Sequence, residues 1–387
     1  LILEDVRNRG DAALADLTQR FDGHSLAHED NWRIAPEACR EAYDDLNPDL
    51  RAALELAAQR IRAYHTAQLP EDRDYTDEAG VRLGAKWHAV DAAGLYIPGG
   101  RASYPSSLLI NAIPAKVGGV ERLGGGTPTP TGAGNPLVMA AAHIAGVDEV
   151  WRVGGAQAVA ALAYGTQRIA PVDVITGPGN AWVAEAKRQL FGVVGIDMVA
   201  GPSEILVISD GKSDPEWIAA DLLSQAEHDP VAQSILITDD PVFADTVADR
   251  IGVELAMLPS ARVASESWNN HGVIIEVSSL DEAPALANAL AAEHVELALD
   301  DPEAMFAQLR HAGSVFMGRY TPEAVGDYVA GPNHVLPTGR RARFSSGLSV
   351  LDFMKRTSFI QLDKAALEAI GPAAIALAEA EGLPAHA

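Results

Sequence analysis

Two polar residues near the end of one amphipathic segment could bind a metal ion. Gln225 and His228 lie in the stretch DLLSQAEHD, residues 221–229. Because they are three residues apart, they share one face of a helix. A carboxamide oxygen and an imidazole nitrogen make half of a mixed oxygen and nitrogen site of the kind that suits zinc, although manganese or cobalt could occupy it too. The other ligands must come from elsewhere in the chain.

An acid and a base are adjacent in a second stretch, AAEHVEL, where a predicted helix meets a predicted strand. The pair is Glu293 and His294. Neighbouring residues that enter a strand point to opposite sides, so we expect the two side chains to serve separate roles. Histidine can take the proton of an alcohol near neutral pH, and a carboxylate with a raised pKa can activate water. The alternative is a surface glutamate beside a histidine that only packs in the core.

Two segments carry polar residues without a packing pattern. The sequence GDYVAGPNHVLPT, residues 326–338, is a predicted loop that contains Asp327 and His334. Loops of this kind carry function more often than packing. The tail contains Glu381 and His386, although a lone histidine near a terminus is normally solvated.

Three turns that contain glycine adjoin predicted strands. YIPGGRASYPSS, residues 96–107, and ITGPGNAWV, residues 175–183, each run from a strand through a glycine turn into a helix. Backbone N–H groups at such a helix start can face an anion. The first turn is not G-x-G-x-x-G, and Asn180 in the second is equally explained as a helix N-cap. VAGPSEILV, residues 199–207, is a predicted crossing between domains that offers the Ser203 hydroxyl.

The elements that position these residues alternate along the chain. Short apolar strands alternate with helices as far as about residue 312, which predicts parallel α/β sheets with ligands at the carboxyl ends of the strands. The predicted strands are 82–90, 150–153, 172–176, 205–208, 235–238, 273–277, 295–299 and 314–317. The predicted helices are 106–117, 135–145, 156–164, 181–190 and 215–227.

Three segments lie outside this alternation. Residues 1–67 have apolar residues at helical spacing and form a predicted helical entry segment. Residues 121–130, ERLGGGTPTP, stand where a strand is due but have poor strand propensity, so they are either a mobile loop or an irregular sheet edge. Residues 363–383 form an alanine-rich amphipathic helix that must pack on another surface, such as a second subunit.

Composition excludes several classes of partner. The 387 residues predict more than one domain. The formal charge of -24, with no basic run, makes nucleic acid and anionic membrane poor partners. Cys39 is the one cysteine, so a disulfide framework and a thiolate metal cluster are excluded and a reducing compartment is favoured. No stretch approaches the roughly 18 apolar residues of a membrane span, and a cytoplasmic protein is expected.

Together these stretches resemble the histidinol dehydrogenase family, whose members carry out the last two oxidations of histidine biosynthesis. The resemblance runs in the family's order through most of the chain. Its motifs are GLYIPGGRASYPSSLLINAIPAKVGGV, GGAQAVAALAYGT, DVITGPGNAWVAEAKRQ, IDMVAGPSEILVI, DLLSQAEHDP, AAEHVEL, AGSVFMG, GDYVAGPNHVLPT, SGLSVLDFMKR and AEAEGLPAH. The resemblance also implies that the usual family start lies before Leu1.

The resemblance implies a role for each candidate residue. The implied ligands of one zinc ion are Gln225, His228, Asp327 and His386, the last supplied by the partner subunit of a homodimer. The implied contacts of the substrate L-histidinol are Ser203, His294, His334 and Glu381 together with the zinc ligands. The implied contacts of NAD are Tyr96, Gln157 and Asn180. In the implied mechanism, His294 takes the hydroxyl proton in the first oxidation and Glu293 activates a water in the second.

The resemblance also implies an α/β fold with two incomplete Rossmann-like parallel-sheet domains, one inserted in the other. The first domain comprises residues 1–95 and 205–348, and the cofactor-side domain comprises residues 96–204. Residues 349–387 form a C-terminal helical dimerisation arm. The chain departs from the family pattern at Ala292, where proline is usual, and at the glycine-rich residues 121–130.

Two other functions are compatible with these residues. One is a related zinc and NAD dehydrogenase that acts on another polar alcohol. The other is a non-catalytic protein that binds a metal or a small molecule on the same scaffold. The retained acid and base at Glu293 and His294 argue against the second, because a binding protein does not need them.

Overall fold

The computed structural model describes residues 1–99, 104–199 and 201–387. Residues 100–103 of the first predicted glycine turn and residue 200 of the predicted crossing lie outside this description. The strands are β1 (Arg33–Ile34), β2 (Arg73–Thr76), β3 (Arg82–Ala89), β4 (Ala92–Tyr96), β5 (Arg122–Gly126), β6 (Glu149–Trp151), β7 (Val174–Thr176), β8 (Gly195–Ile196), β9 (Glu204–Ser209), β10 (Gln233–Thr238), β11 (Val273–Glu276), β12 (His294–Ala298), β13 (Ser314–Met317) and β14 (Met354–Gln361).

Helices connect most of these strands. They are α1 (Ile2–Arg9), α2 (Asp11–Asp22), α3 (Pro36–Asp44), α4 (Pro48–Thr66), α5 (Pro105–Val117), α6 (Pro136–Ala145), α7 (Gly155–Tyr164), α8 (Ala181–Leu190), α9 (Pro215–Ala226), α10 (Pro241–Leu255), α11 (Ala261–His271), α12 (Ala283–Leu290), α13 (Glu303–Phe306), α14 (Glu323–Val325) and α15 (Lys364–Ala380). No helix in the described ranges is both long and apolar enough to cross a membrane.

The first sheet has the strand order β1-β6-β5-β4-β7-β8, and only β1 is antiparallel to its neighbour. Every residue of β4 is buried. Ala93 and Leu95 pack in the apolar cluster that includes α5 and α6, whereas Ala92 and Tyr96 pack in the cluster that includes α7 and α8. Because alternate residues of a strand face opposite sides, helices cover both faces of this sheet.

The glycine-rich strand β5 lies inside this sheet, between β4 and β6. The expectation of a mobile loop or an irregular edge at residues 121–130 is therefore wrong for residues 122–126, which form β5. A Cβ added to Gly125 would lie 2.7 Å from Ile97 Cδ1, and one added to Gly126 would lie 3.1 Å from the Val153 carbonyl oxygen. Neighbouring atoms already occupy the space of side chains here, so glycine fits where strand propensity disfavours it.

The second sheet is wholly parallel, with the order β11-β10-β9-β12-β13. Each of its strands is found within two residues of its predicted bounds, so the α/β prediction is confirmed. Ile205 and Val207 of β9 pack in one apolar cluster, whereas Leu206 and Ile208 pack in another. This sheet is thus also covered on both faces.

A third sheet is antiparallel, with the order β14-β3-β2. Strand β14 runs inside the arm predicted as helical at residues 349–387, and it pairs with β3 along its whole length. The sequence pattern did not reveal β14, because most of its residues are exposed and show no alternation of burial. Helix α15 follows it and exposes Leu367 and Leu377.

The division of the chain into domains stays a prediction. The strands between residues 33 and 196 form the first sheet, except for β2 and β3 of the third sheet, and those between residues 204 and 317 form the second. The predicted boundary near residue 204 falls between these sheets. Strand β4 spans the predicted boundary near residue 95.

Candidate functional site

A cavity of about 430 Å³ lies between the first two sheets. Its walls include Tyr96 and Gly177, at the carboxyl ends of β4 and β7, and Ser203 and Glu293, just before the amino ends of β9 and β12. The cavity therefore lies at the carboxyl ends of strands, where ligands were expected, in the first sheet only. In the second sheet the polar residues precede the strands, so the cavity lies at the amino ends.

Gln225 and His228 both line this cavity, close to the end of α9. The helix ends at Ala226, and the backbone N–H of His228 donates to the Gln225 carbonyl oxygen at 3.2 Å. Gln225 Nε2 lies 3.4 Å from His228 Nδ1. The two side chains therefore meet as the spacing predicts, although only the first lies on the helix. Desolvation lowers the pKa of His228, which favours the neutral imidazole that a metal requires.

Asp327 and His334 reach the cavity from one irregular segment. Asp327 lies in a π-helical turn, Gly326–Ala330, and His334 lies in the loop that follows. Burial raises the pKa of Asp327 to about 6 and lowers the pKa of His334 to about 4. Asp327 Oδ1 is 3.7 Å from His294 Nε2. A predicted metal ligand and the predicted base thus face one another.

Several buried polar atoms around the cavity have no hydrogen-bond partner within the described ranges. These atoms are Gln225 Oε1, His294 Nε2, Asp327 Oδ1 and His334 Nδ1. Unpartnered buried polar atoms are rare in folded proteins and need an explanation. A ligand that accepts electron pairs from oxygen and nitrogen would satisfy this group.

Glu293 and His294 both line the cavity, and their atoms Oε2 and Nδ1 are 3.7 Å apart. The expectation that they point to opposite sides is wrong. Strand β12 begins at His294, and Ala291 has a φ of 51°, so the alternation of a strand does not extend to Glu293. Burial raises the pKa of Glu293 to about 8 and lowers the pKa of His294 to about 3. Both groups are therefore largely uncharged at neutral pH.

The backbone of Glu204 orients this pair. Its N–H donates to Glu293 Oε2 at 3.0 Å, and its carbonyl oxygen lies 3.1 Å from His294 Nδ1. A proton on Nδ1 would bond this carbonyl oxygen and leave the lone pair of Nε2 facing the cavity. Strand β9 thereby sets the tautomer of the histidine on β12.

Sequence reasoning missed Glu323, which is 2 % exposed and lies behind His294. Its Oε1 is 3.3 Å from His294 Nδ1, and burial and nearby carboxylates raise its pKa. Ligand atoms of His294, Glu323 and Asp327 all lie within 4.8 Å of one another. The spacing of Glu323 and Asp327, four residues apart, was an available signal. Glu323 is not part of the cavity wall as far as the described residues show, so a metal reached from the cavity would use Asp327 instead.

A second buried carboxyl pair lies beyond Glu323. Burial and Asp221 raise the pKa of Glu296 to about 9, and burial raises the pKa of Asp221 to about 6. Glu296 lies on β12, two residues after His294, and is 2 % exposed. Periodicity gave no sign of this pair, because it joins a strand to a helix.

The predicted NAD contacts are partly brought together. Tyr96 and Asn180 line the cavity, whereas Gln157 is buried at the start of α7 and is not among the described wall residues. The backbone N–H of Gly155 donates to the Tyr96 hydroxyl at 3.2 Å. Asn180 Oδ1 accepts from the backbone N–H of Trp182 at 3.1 Å, so Asn180 is an N-cap as well as a wall residue.

Sequence reasoning also missed a buried ion pair beside Gly177. Lys187 Nζ contacts Asp197 Oδ1 and donates to the Gly177 carbonyl oxygen at 3.0 Å. Asp197 Oδ2 accepts from the Gly177 N–H at 2.9 Å. Gly177 has a φ of 117°, and a Cβ there would lie 2.2 Å from the Tyr96 carbonyl oxygen. Glycine is therefore required at this turn, and the ion pair holds both of its backbone polar groups.

The tail residues lie apart from the cavity within one chain. Glu381 and His386 are exposed after α15 and do not belong to the wall that the described residues form. The other predicted substrate and metal residues do line it, and these are Ser203, Gln225, His228, His294, Asp327 and His334.

Comparison with known proteins gives a consistent result over the whole chain. The model of the histidinol dehydrogenase family matches residues 1–387. The chain is 63 % identical over 386 residues to a histidinol dehydrogenase of Zymomonas mobilis subsp. mobilis, covering 100 % of the chain and 90 % of the relative. It is 62 % identical to that of Ruegeria pomeroyi, covering 100 % and 89 %. The crystal structure of histidinol dehydrogenase from Elizabethkingia anophelis is 36 % identical with a TM-score of 0.95, covering 100 % and 88 %.

Proposed function

The chain belongs to the histidinol dehydrogenase family, a family of oxidoreductases, and from this premise we propose that it oxidises L-histidinol to L-histidine through L-histidinal. Each histidinol would reduce two molecules of NAD, because an alcohol loses four electrons on the way to an acid. One observation carries the proposal. Glu293 and His294 enter one cavity together with the unpartnered polar atoms of Gln225 and Asp327.

The donor atoms around the cavity fit zinc. A carboxamide oxygen of Gln225, an imidazole nitrogen of His228 and a carboxylate oxygen of Asp327 are ligands of the types that zinc binds. Two of these residues have a buried oxygen whose partner is missing from the described part of the chain, which supports a bound cation. His386 of the partner subunit would complete the set in a homodimer. Bound zinc would orient the imidazole and amino group of histidinol and polarise its hydroxyl.

His294 would act as the base of the first oxidation. Burial keeps its imidazole neutral, and Nδ1 faces the Glu204 carbonyl oxygen. The lone pair of Nε2 is then free to take the proton of the substrate hydroxyl. Asp327 lies on the Nε2 side of the ring. The proposed base and one proposed metal ligand would therefore both lie close to the carbinol of the substrate.

Glu293 would act in the second oxidation. Its Oε2 is held by the Glu204 N–H, which leaves Oε1 to take a proton from the water that adds to the aldehyde. With a pKa of about 8, the ionised form that takes the proton is the minor form at neutral pH, but it is a stronger base than an ordinary carboxylate. Ser203, His334 and Glu381 of the partner subunit would bind the substrate beside this pair.

The first sheet would bind NAD, which accepts the hydride in each oxidation. Tyr96 and Asn180 are wall residues at the ends of β4 and β7, where nucleotides bind in related sheets. Gln157 would act from behind Gly155, whose N–H bonds the Tyr96 hydroxyl. We assign this role to a cofactor-side domain of residues 96–204.

The test is NADH formation from L-histidinol by the zinc-loaded protein, counted per histidinol consumed. Two NADH per substrate would support both oxidations, and one would mean that the aldehyde escapes. No NADH at saturating NAD would refute the proposed substrate.

Variants separate the two steps. Glu293→Gln should spare oxidation of histidinol relative to oxidation of added histidinal, whereas His294→Gln should slow the first step. Glu276→Gln makes the same change as the first variant at an exposed residue of β11, and it should alter neither step. Equal losses in both steps for Glu293→Gln would contradict the division of labour.

A further inference from the structure

Helix α5 contains an unusual free carbonyl group. Pro114 lies inside the helix and has no backbone N–H, so the carbonyl oxygen of Ile110 lacks the donor that a helix normally supplies four residues later. Ile110 is 1 % exposed, so water does not replace that donor. An unpaired buried carbonyl is costly, and its partner must come from another part of the chain.

The side chain of Asn333 supplies this partner. Its Nδ2 donates to the Ile110 carbonyl oxygen at 2.6 Å, and its Oδ1 accepts from the Val335 N–H at 2.9 Å. Asn333 is 6 % exposed and lies next to His334. One side chain thus joins α5 to the loop that carries a proposed substrate residue.

His65 of α4 contacts the same amide. His65 Nδ1 is 2.8 Å from the Ile61 carbonyl oxygen, and His65 Nε2 is 3.5 Å from Asn333 Nδ2. Burial lowers the pKa of His65, so the ring is neutral. With its proton on Nδ1, the ring presents Nε2 as an acceptor for the second hydrogen of Asn333 Nδ2.

We propose that Asn333, the Ile110 carbonyl group freed by Pro114, and His65 form a clasp that positions the His334 loop against the cofactor side of the cavity. Ser106 and Ser107, in the first turn of α5, line the cavity, and so do residues 334–336 of the loop. The clasp therefore sets the distance between the two walls that the substrate must bridge. Asn333 is a positioning residue, because it does not itself line the cavity within the described part of the chain.

Two substitutions can distinguish a clasp that positions the loop from an asparagine that only bonds the buried Ile110 carbonyl oxygen. Alanine at position 114 would restore a backbone N–H to α5, and this N–H would bond the Ile110 carbonyl oxygen within the helix. In Asn333→Asp, the acceptor for Val335 N–H is kept and both donors of the amide are lost. The double variant Pro114→Ala/Asn333→Asp thus satisfies the carbonyl group but leaves α5 and the loop unconnected.

The inference rests on the proposed function for its kinetic readout, the KM for L-histidinol. We expect Asn333→Asp to lower the urea midpoint and to raise this KM about tenfold, with less than a twofold change in the KM for NAD. The double variant should regain part of the urea midpoint, because the Ile110 carbonyl oxygen has a donor again although the carboxylate at position 333 stays buried, and it should keep the raised KM. Recovery of both would mean that Asn333 only satisfies a carbonyl group, and the clasp would be wrong.

A matched control comes from Asn288, which makes similar bonds and is not among the described residues of the cavity wall. Its Nδ2 donates to the Gln308 carbonyl oxygen at 2.9 Å, and its Oδ1 accepts from the Arg310 N–H at 2.7 Å. Asn288→Asp should lower the urea midpoint and leave the KM for L-histidinol unchanged. If it raised this KM as much as Asn333→Asp does, the effect would be general destabilisation.

Hydrogen exchange gives a readout that does not need catalysis. In the zinc-loaded double variant, amides of residues 331–338 should exchange about tenfold faster than in the parent protein, whereas those of α5 should not. If the parent protein makes no NADH from histidinol but the double variant exchanges faster than the parent, the proposed function is wrong and the clasp is supported. If the parent protein is active and the double variant exchanges at the same rate as the parent, only the clasp is overturned.

Discussion

Removal of Asp197 should destabilise the protein and weaken the cofactor side of the cavity. The side chains of Lys187 and Asp197 are only 4 % and 1 % exposed, so the ion pair is fully buried. Asp197→Ala would leave the lysine charge without its partner and the Gly177 N–H without its acceptor. Breaking a buried pair from one side costs about 3–5 kcal/mol, mostly because the remaining charge stays desolvated. This is a large part of the about 5–15 kcal/mol that stabilises a typical protein.

The double variant Lys187→Met/Asp197→Leu separates charge from positioning. Replacing both members of a buried pair with apolar groups is often neutral, so the part of the lost stability that is due to the unpaired charge should return. The N–H and carbonyl groups of Gly177 would still lack their partners, and the turn would lose its fixed position. We therefore expect the KM for NAD to rise about tenfold in both variants, which corresponds to about 1.4 kcal/mol.

The assays are urea unfolding followed by tryptophan fluorescence, and steady-state kinetics at saturating histidinol. Glu185→Ala on the same helix is the control, because it removes an exposed ion pair with Arg188 and should change the urea midpoint little. Equal midpoints for Asp197→Ala and Glu185→Ala would refute the burial argument. An unchanged KM for NAD in the double variant would refute the role of the pair at the turn.

Four further variants test the surrounding structure. Burial and a neighbouring carboxyl raise the pKa of Glu296 to about 9, so the folded state holds a proton that the unfolded chain releases. The parent protein should lose stability relative to Glu296→Gln as pH rises from about 4.5 to about 9, and a constant difference in urea midpoints would contradict this. Gly125→Ala should lower the free energy of unfolding by about 1–3 kcal/mol, because the added methyl group overpacks β5. Gly252→Ala, in an open position of α10, should raise it by about 0.5–1 kcal/mol. Thermal unfolding checks these opposite signs, and a shift of both variants in the same direction would contradict the packing argument. Arg60 donates to two carbonyl oxygens of the π-helical turn that holds Asp327, at 2.6 and 3.1 Å. Arg60→Gln should therefore weaken zinc binding about tenfold in a chelator competition. Equal zinc affinity of the variant and the parent protein would contradict this role.

Local patterns predicted the parts of the fold that local forces determine. The parallel strands from 205 to 317 are runs of apolar residues bounded by polar turns, and burial on both faces explains why such runs are strands. The spacing of Gln225 and His228 predicted their contact, because it depends only on the geometry of one helix end. The resemblance to a family supplied the roles of these residues, which spacing alone could not.

Long-range contacts explain what the patterns missed. Strand β5 has the wrong propensity, and it is a strand because residues such as Ile97 fill the space above its glycines. Lys187 and Asp197 are charged residues that meet only when α8 packs on β7 and β8, so no periodicity reveals them. Glu293 faces the cavity because the turn at Ala291 precedes β12, a detail of backbone conformation that alternation cannot predict.

The two walls of the cavity differ in how completely one chain supplies hydrogen-bond partners for their polar groups. On the wall that the first sheet contributes, Lys187 and Asp197 hydrogen-bond to the backbone of Gly177, and Asn180 caps its helix. On the wall that carries the proposed metal ligands, oxygens of Gln225 and Asp327 are buried without partners among the described residues. Each such group lowers the free energy of unfolding by about 1–3 kcal/mol, because it has lost its bonds to water without gaining others. A cation that binds these oxygens would remove this penalty. Binding to the folded state alone then stabilises the fold, which is why metal loading and stability should rise together.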